Sequence, residues 1–337
     1  MEAYRIEDSF GLDNLNRVEV DRPEPGPGEV LVEIEAVSLN FRDWMTVQGM
    51  YNPDQPLPLI PCSDACGTVR EVGSDVNSFE EGDRVIPIFA QDWLEGPLTA
   101  QKRSSTLGGP LPGTLAEFQT FAETGLVRTP ENLSPVEAST LPCAGVTAWT
   151  ALTEFGSVTA GDTVLLQGTG GVSTFGLELA TTLGAEVIIT SSSDDKLDIM
   201  RERGADHTIN YRDNPDWHKT VMDITGGDGA DCILEVGGEE TLEKSLQCVA
   251  FEGMVALIGV LSGGQPTLTL ASALMRRATV QGILVGSREN TRDFARAVEH
   301  NNIQPLVDGP HEWDEGVECF ERMRDGEHLG KIVVERS

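Results

Sequence analysis

The chain is short of lysine. Of its 24 basic residues only five are Lys (102, 196, 219, 244 and 331), and 55 Asp and Glu stand against them, a formal charge of −31. So negative a surface repels phosphate backbones and anionic lipid, which excludes nucleic acid and membrane surfaces as partners. Cysteine is scarce as well. Six in 337 residues, at 62, 66, 143, 232, 248 and 319, are too few and too scattered for a disulfide framework, so reduced thiols are expected. The five histidines (207, 218, 300, 311, 328) show no metal-ligand spacing. No run of about 18 apolar residues occurs, which excludes a helical membrane span. The start, MEAYRIEDSF, is acidic where a secretory leader is basic and then apolar, so a cytoplasmic protein is expected. The acids are dispersed and form no tail, which suits a solvated, folded surface and a salt-rich (halophilic) cytoplasm where ions screen self-repulsion.

Length predicts about two domains. The first ~130 residues read as β-rich, with strands at Val30–Val37, Gly67–Gly73 and Asp83–Ile88. Residues 91–114 carry many Gly, Pro, Ser and Thr without a period and are expected to form a long surface loop. From Gly161 the texture changes. Thr163–Gln167 is a short apolar run of the kind buried in parallel sheets, followed by a glycine turn and a helix stopped by Gly184. Further runs at Glu186–Thr190, His207–Asn210, Cys232–Val236, Met254–Ile258 and Val280–Val285 alternate with helical stretches, which predicts a doubly wound α/β parallel sheet. Lys331–Glu335 is a terminal strand expected to pack back on the N-terminal domain.

The turn Gly168-Thr169-Gly170-Gly171-Val172-Ser173, set between strand and helix, fits a dinucleotide fingerprint with Ser173 in the third glycine's place. Its helix N-terminus offers N–H groups to a pyrophosphate, and the Ser173 hydroxyl is a further phosphate contact. An NAD-preferring site places a carboxylate at the end of the second strand; here that end is Thr190-Ser191-Ser192-Ser193. Hydroxyls tolerate a 2′-phosphate and Lys196 can pair with it, aided by Tyr211 and Arg212. NADP is therefore the expected cofactor and NAD the alternative; Asp194 and Asp195 would count against NADP if they faced inward.

Three segments together carry a resemblance: the 168–173 turn, Leu141-Pro142-Cys143-Ala144-Gly145-Val146-Thr147-Ala148-Trp149, and the block Pro23 to Gly28. The chain resembles the medium-chain dehydrogenase/reductase superfamily over essentially its whole length, nearest its zinc-independent, quinone-oxidoreductase-like branch of alcohol dehydrogenases. The resemblance implies a GroES-like β-rich catalytic domain formed by 1–128 and 286–337, a Rossmann domain over 129–285, and a homodimer joined near Leu257 to Leu270. Positions matching the catalytic zinc ligands are Asn40, Ser63 and Cys143, of which only the thiol is a usual ligand, and the 91–114 region lacks the four cysteines of the second zinc site. No zinc is expected.

Without a metal, the oxygen receiving charge during hydride transfer needs another partner. The candidate by matched position is Asn40, whose amide NH₂ can donate. Asp43 is expected to hold the loop or bond the asparagine, and Tyr51 to give a proton or stack on a flat ring. Asp64 is given a secondary role. The resemblance places main-chain contacts to nicotinamide at Val236-Gly237-Gly238, Gly259-Val260-Leu261 and Val285-Gly286-Ser287, with Thr147 beside nicotinamide or phosphate. Trp44, Met45 and Trp93 could wall an apolar cleft. The expected activity is zinc-free reduction of a quinone, enone, aldehyde or ketone by NADPH. A non-catalytic NADPH sensor and an alcohol dehydrogenase with a rearranged zinc site are the alternatives.

Overall fold

The computed structural model describes residues 1–336. The chain forms two compact units: residues 1–146 with 285–337, and residues 147–284. The first boundary falls some 18 residues later than the expected 128/129. The reason is local: the Pro135–Ala138 helix and the π-helical turn Leu141–Gly145 pack on strands of the first unit.

The first unit begins with strands β1 (Glu2–Ile6), β2 (Leu15–Glu19), β3 (Glu29–Ser38), β4 (Asp64–Val72), β5 (Arg84–Pro87), β6 (Phe118–Ala122) and β7 (Leu126–Arg128). The second unit contributes β8 (Thr163–Gln167), β9 (Glu186–Ser191), β10 (His207–Asn210), β11 (Ala230–Glu235), β12 (Val249–Leu257) and β13 (Thr279–Gly282). The chain then returns to the first unit as β14 (Val307–Glu312) and β15 (Lys331–Glu335).

In the first unit β1 and β2 form a hairpin, and the main sheet runs β14-β15-β3-β4-β5-β7, with β6 also pairing β3. The terminal strand is therefore internal. β15 lies between β14 and β3, with Val333 opposite Ser38. Alternation along β3 and β15 buries Val30, Val32, Ile34, Ile332 and Val334 in one cluster with Phe320 and Trp313. The expected surface loop is only half exposed. Residues 92–104 are mostly exposed and include a short helix, Ala100–Arg103, but 105–108 and 113–116 are buried. Arg42 draws that segment inward, its guanidinium donating to the carbonyl of Leu107 at 2.9 Å.

The second unit is a six-stranded, wholly parallel sheet in the order β10-β9-β8-β11-β12-β13. All five residues of β8 are buried, as are the last five of β9, which is why these strands read as unbroken apolar runs: helices cover both faces. The order reverses between β8 and β11, the place where open parallel sheets bind ligands beyond the strands' carboxyl ends. The Gly171–Leu183 helix lies close on these two strands because Gly176 has no side chain. A Cβ there would stand 2.8 Å from Leu166 and 3.0 Å from Leu234. Gly184 ends the helix in the left-handed conformation (φ 82°), as expected. Among the described residues no helix is long and apolar enough to cross a membrane.

Candidate functional site

The second unit carries the glycine turn at the switch point. Gly168 has φ 71°, a left-handed backbone that reverses the chain straight after β8. Gly170 is the N-cap of the following 13-residue helix and makes no side-chain cap, so the first N–H groups remain available to an anion. Ser173 departs from expectation. It is buried and its hydroxyl donates to the Gln167 carbonyl at 2.6 Å, tying helix to strand; it is a packing group, not a phosphate donor. Thr169 and Thr147 are buried and Val172 is half-buried.

At the carboxyl ends of β9 and β10 the serines and Tyr211 come together. Ser191 is buried, accepts from the Ser193 N–H at 3.4 Å, and its carbonyl accepts from Tyr211 N–H at 3.0 Å. Ser192 is half-buried beside them. Ser193 caps the Asp194–Glu202 helix, accepting from Lys196 N–H at 3.4 Å. Tyr211 is 41% exposed. Asp194 is occupied by the Asn210 amide at 2.8 Å.

A carboxylate that the sequence reading passed over organises the next turn. Glu235, fully buried at the end of β11, accepts from Gly237 N–H (2.9 Å), Gly238 N–H (3.0 Å), the Gln167 amide (2.8 Å) and the hydroxyls of Thr241 and Ser245. Both peptide groups of Gly237 are thereby engaged, because its carbonyl accepts from Ser262 N–H at 2.7 Å. That bond and Leu261 N–H to the Val236 carbonyl (3.1 Å) fasten the 259–263 turn to it, leaving Val260 half exposed. Gly237 and Gly259 thus shape the turns, and the available surface lies at Val260. These features fit a dinucleotide: an uncapped helix end at the switch point, a hydroxyl where a carboxylate would stand, and a turn locked by a buried anion. The signal for Glu235 was present, a lone acid closing the apolar run Cys232–Leu234.

Val285 and Ser287 fall in the first unit. Val285 is a β-branched residue at φ 51°, a strained conformation. Ser287 is a correction: it forms a capping box with Asn290, its N–H and hydroxyl both donating to Asn290 Oδ1 (2.8 and 2.7 Å), so it starts a helix and has no donor left for a cofactor.

The first unit holds a buried ionic cluster where three strands end. Asn40 follows β3 and caps the Phe41–Val47 helix, Asp64 opens β4, and Lys331 opens β15. Asp43 is fully enclosed. Its Oδ2 accepts from Asn40 N–H at 2.8 Å and its Oδ1 from the Arg42 guanidinium at 3.2 Å, so it positions the loop as expected. Burial raises its pKa to about 6 despite Arg42. Asp64, also fully buried, accepts from the Ser63 hydroxyl (2.7 Å) and Cys143 N–H (3.1 Å), with the Lys331 ammonium 3.7 Å away. Burial raises its carboxyl too, and Lys331 is the foremost group pulling it back. Lys331 Nζ donates to the Leu39 carbonyl at 2.7 Å and to Asn40 Oδ1. An ammonium has only donors, so this contact fixes the amide's orientation, and the Asn40 side chain also helps pull the Asp64 carboxyl down. Nδ2 is buried, with no partner within 3.5 Å. Tyr51 is 40% exposed, its ring centroid 4.9 Å from the Arg42 guanidinium carbon. Trp44 and Met45 are half-buried, and Trp93 bonds its own loop through Gly96 O.

These donors do not suit zinc. Asn40 offers its oxygen to an ammonium, and Ser63 gives its hydroxyl proton to Asp64. Burial, with Asp64 next, pushes the Cys143 thiol up. Among the described residues no group of three His, Cys, Asp or Glu side chains could hold a metal ion.

A wholly parallel sheet with an uncapped glycine-turn helix end at its switch point is the architecture of a dinucleotide-binding protein. Comparison with known proteins agrees. Residues 26–131 match the alcohol dehydrogenase GroES-like domain and residues 171–300 the zinc-binding dehydrogenase domain. The chain is 41% identical to a zinc-type alcohol dehydrogenase-like protein of Schizosaccharomyces pombe, covering 98% of each chain. It is 28% identical to a chloroplastic quinone oxidoreductase of Triphysaria versicolor, covering 96% of this chain and 95% of that one. The crystal structure of a putative alcohol dehydrogenase from Sinorhizobium meliloti superposes with a TM-score of 0.93 at 41% identity, covering 99% and 98%. The protein belongs to the medium-chain dehydrogenase/reductase superfamily and is a nicotinamide-dependent oxidoreductase.

Proposed function

We propose that this protein reduces a quinone, enone, aldehyde or ketone with NADPH and without zinc. The observation that carries the reading is Asn40, whose Oδ1 is taken by Lys331 and whose Nδ2 is the donor left among the groups that end these strands. When bound, NADPH supplies a hydride to the acceptor carbon and leaves as NADP⁺. The electron pair displaced from the C=O bond settles on oxygen, and Asn40 Nδ2–H donates to that oxygen as its charge grows. Solvent protonates it afterwards. Residues 168–172 would hold the pyrophosphate, and Ser191, Ser192, Ser193, Lys196 and Tyr211 the 2′-phosphate. Tyr51, seated on Arg42, suits stacking against a flat acceptor. The quinone oxidoreductase relative supports the acceptor class.

The test is a steady-state assay with 9,10-phenanthrenequinone. NADPH should be consumed faster than NADH, at a rate EDTA does not change. Ser191→Asp should turn the preference toward NADH by about 10²-fold, since a carboxylate repels the 2′-phosphate by several kcal/mol. NADPH binding with no turnover on quinone, enone or aldehyde would point instead to a sensor, and inhibition by EDTA to a metal enzyme.

We propose further that the protein is a salt-adapted homodimer. The edge strand β13 and its surroundings expose Leu270, Leu274 and Met275, each more than 70% accessible, on a chain whose charge is −31. Raising KCl from 0.1 to 2 M shortens the Debye length from about 10 Å to below about 3 Å. The urea midpoint should rise along that series, with sedimentation reporting a dimer; a midpoint that stays flat, or a monomer throughout, would refute the respective half.

A further inference from the structure

The two halves of the parallel sheet meet between β8 and β11, with β10-β9-β8 on one side and β11-β12-β13 on the other. A dinucleotide lying across such a reversal sets one nucleotide on each half. Leu166 of β8 pairs in register with Leu234 of β11, and the next residue of each strand is polar: Gln167 and Glu235. Both are buried, although Val164–Leu166 and Cys232–Leu234 beside them are apolar. An amide and a carboxylate at such depth are costly unless every polar atom finds a partner.

Here they do, and the partners cross the reversal. Gln167 Nε2 donates to Glu235 Oε2 and to Ser245 Oγ, each at 2.8 Å, and its Oε1 accepts from Val236 N–H at 3.3 Å. Both ends of the amide are therefore held by the other half of the sheet. On its own half the Gln167 carbonyl accepts from the Ser173 hydroxyl at 2.6 Å, and Gly168 follows directly. Glu235 in turn accepts from the N–H groups of Gly237 and Gly238. One buried side chain thus ties the 168–173 turn to the 236–238 turn.

We infer that Gln167 is a positioning residue for the dinucleotide, setting the distance and orientation between the turn after β8 and the turn after β11. The inference rests on the reading of residues 168–172 as the pyrophosphate site. A ligand that reaches both turns needs that spacing. One confined to the first turn does not.

The experiment uses that contrast. Gln167→Met keeps the length of the side chain and removes its three bonds, while Glu235 keeps four other donors, so the tie is cut and the second turn stays bonded. Isothermal titration calorimetry gives the dissociation constants of NADPH, which spans both halves, and of 2′,5′-ADP, which ends at the first turn. The NADPH constant should rise about 10-fold, as expected for losing a hydrogen bond to a charged group, and that of 2′,5′-ADP should stay within about twofold. Ser245→Ala removes one arm of the bridge and should weaken NADPH about threefold with 2′,5′-ADP unchanged. It carries the comparison if circular dichroism shows Gln167→Met to be unfolded. Equal weakening of both ligands overturns the inference, because the effect would then lie within the first turn alone. NADPH binding at the wild-type constant overturns it as well. A wild type that binds NADH and ADP in place of NADPH and 2′,5′-ADP tells against the NADPH reading only, and the same ratio is then read with that pair. A wild type that binds no nicotinamide dinucleotide removes the underlying pyrophosphate reading.

Discussion

Asn40→Ala should reduce quinones about 10²–10³-fold more slowly in kcat, with the NADPH dissociation constant unchanged. That is the usual loss when one oxyanion donor is removed from a water-poor site. Alanine also frees Lys331 Nζ from one acceptor, but the Leu39 carbonyl and Asp64 remain, so the fold should hold. Asn40→Asp should be as slow by a different route. It keeps the acceptor for Lys331 while replacing the amide N–H with an oxygen that repels the developing charge. Rapid turnover by the aspartate variant would mean that the substrate oxygen is held elsewhere.

The second large effect is expected at Glu235. Its carboxylate satisfies two backbone N–H groups, two hydroxyls and one amide inside the second unit. Glu235→Ala leaves these donors unpaired, each costing about 1–3 kcal/mol where water cannot replace the acceptor. Partial relief by rotation of Thr241, Ser245 and Gln167 brings the expected loss to about 3–5 kcal/mol in urea unfolding. Glu235→Gln should lose less, because Gln167 can turn its own amide to match. Both variants should raise the KM for NADPH, since Gly237 and Gly238 lose the bonds that set their turn. An alanine variant as stable as the parent would show the network to be dispensable.

The parts of the fold that were legible in the sequence were those fixed by local pattern. Thr163–Gln167, His207–Asn210 and Lys331–Glu335 lie within the strands they predicted, because a short apolar run bounded by turns has few alternatives. The glycine turn was legible for the same reason, and Gly184 ended its helix. The misreadings arose where partners are distant. Ser173 looked like a phosphate contact because its acceptor, a carbonyl on the preceding strand, is invisible in a motif. Gly176, where the helix lies against Leu166 and Leu234, lay outside the fingerprint. The buried half of the 91–114 segment depends on Arg42, some 65 residues earlier. Ser287 sat in a turn matched to a relative, while its local partner Asn290 claimed it. Lys331 was missed most completely. Matching the lost ligands one at a time showed what each position lacked, and a cation arriving from another strand has no trace in those positions.

The order of the strands gives the protein a timetable during synthesis. Asp64 and Asn40 are translated early, yet the ammonium that complements them lies 291 residues after Asn40, on a strand that must slide between β14 and β3. Until the ribosome has released that stretch, the early carboxylates have no lysine to meet and their sheet has a gap. The continuous 147–284 segment can mature meanwhile. Nascent chains halted before residue 331 should therefore carry a finished 147–284 unit while the Asn40 and Asp64 cluster still lacks its ammonium.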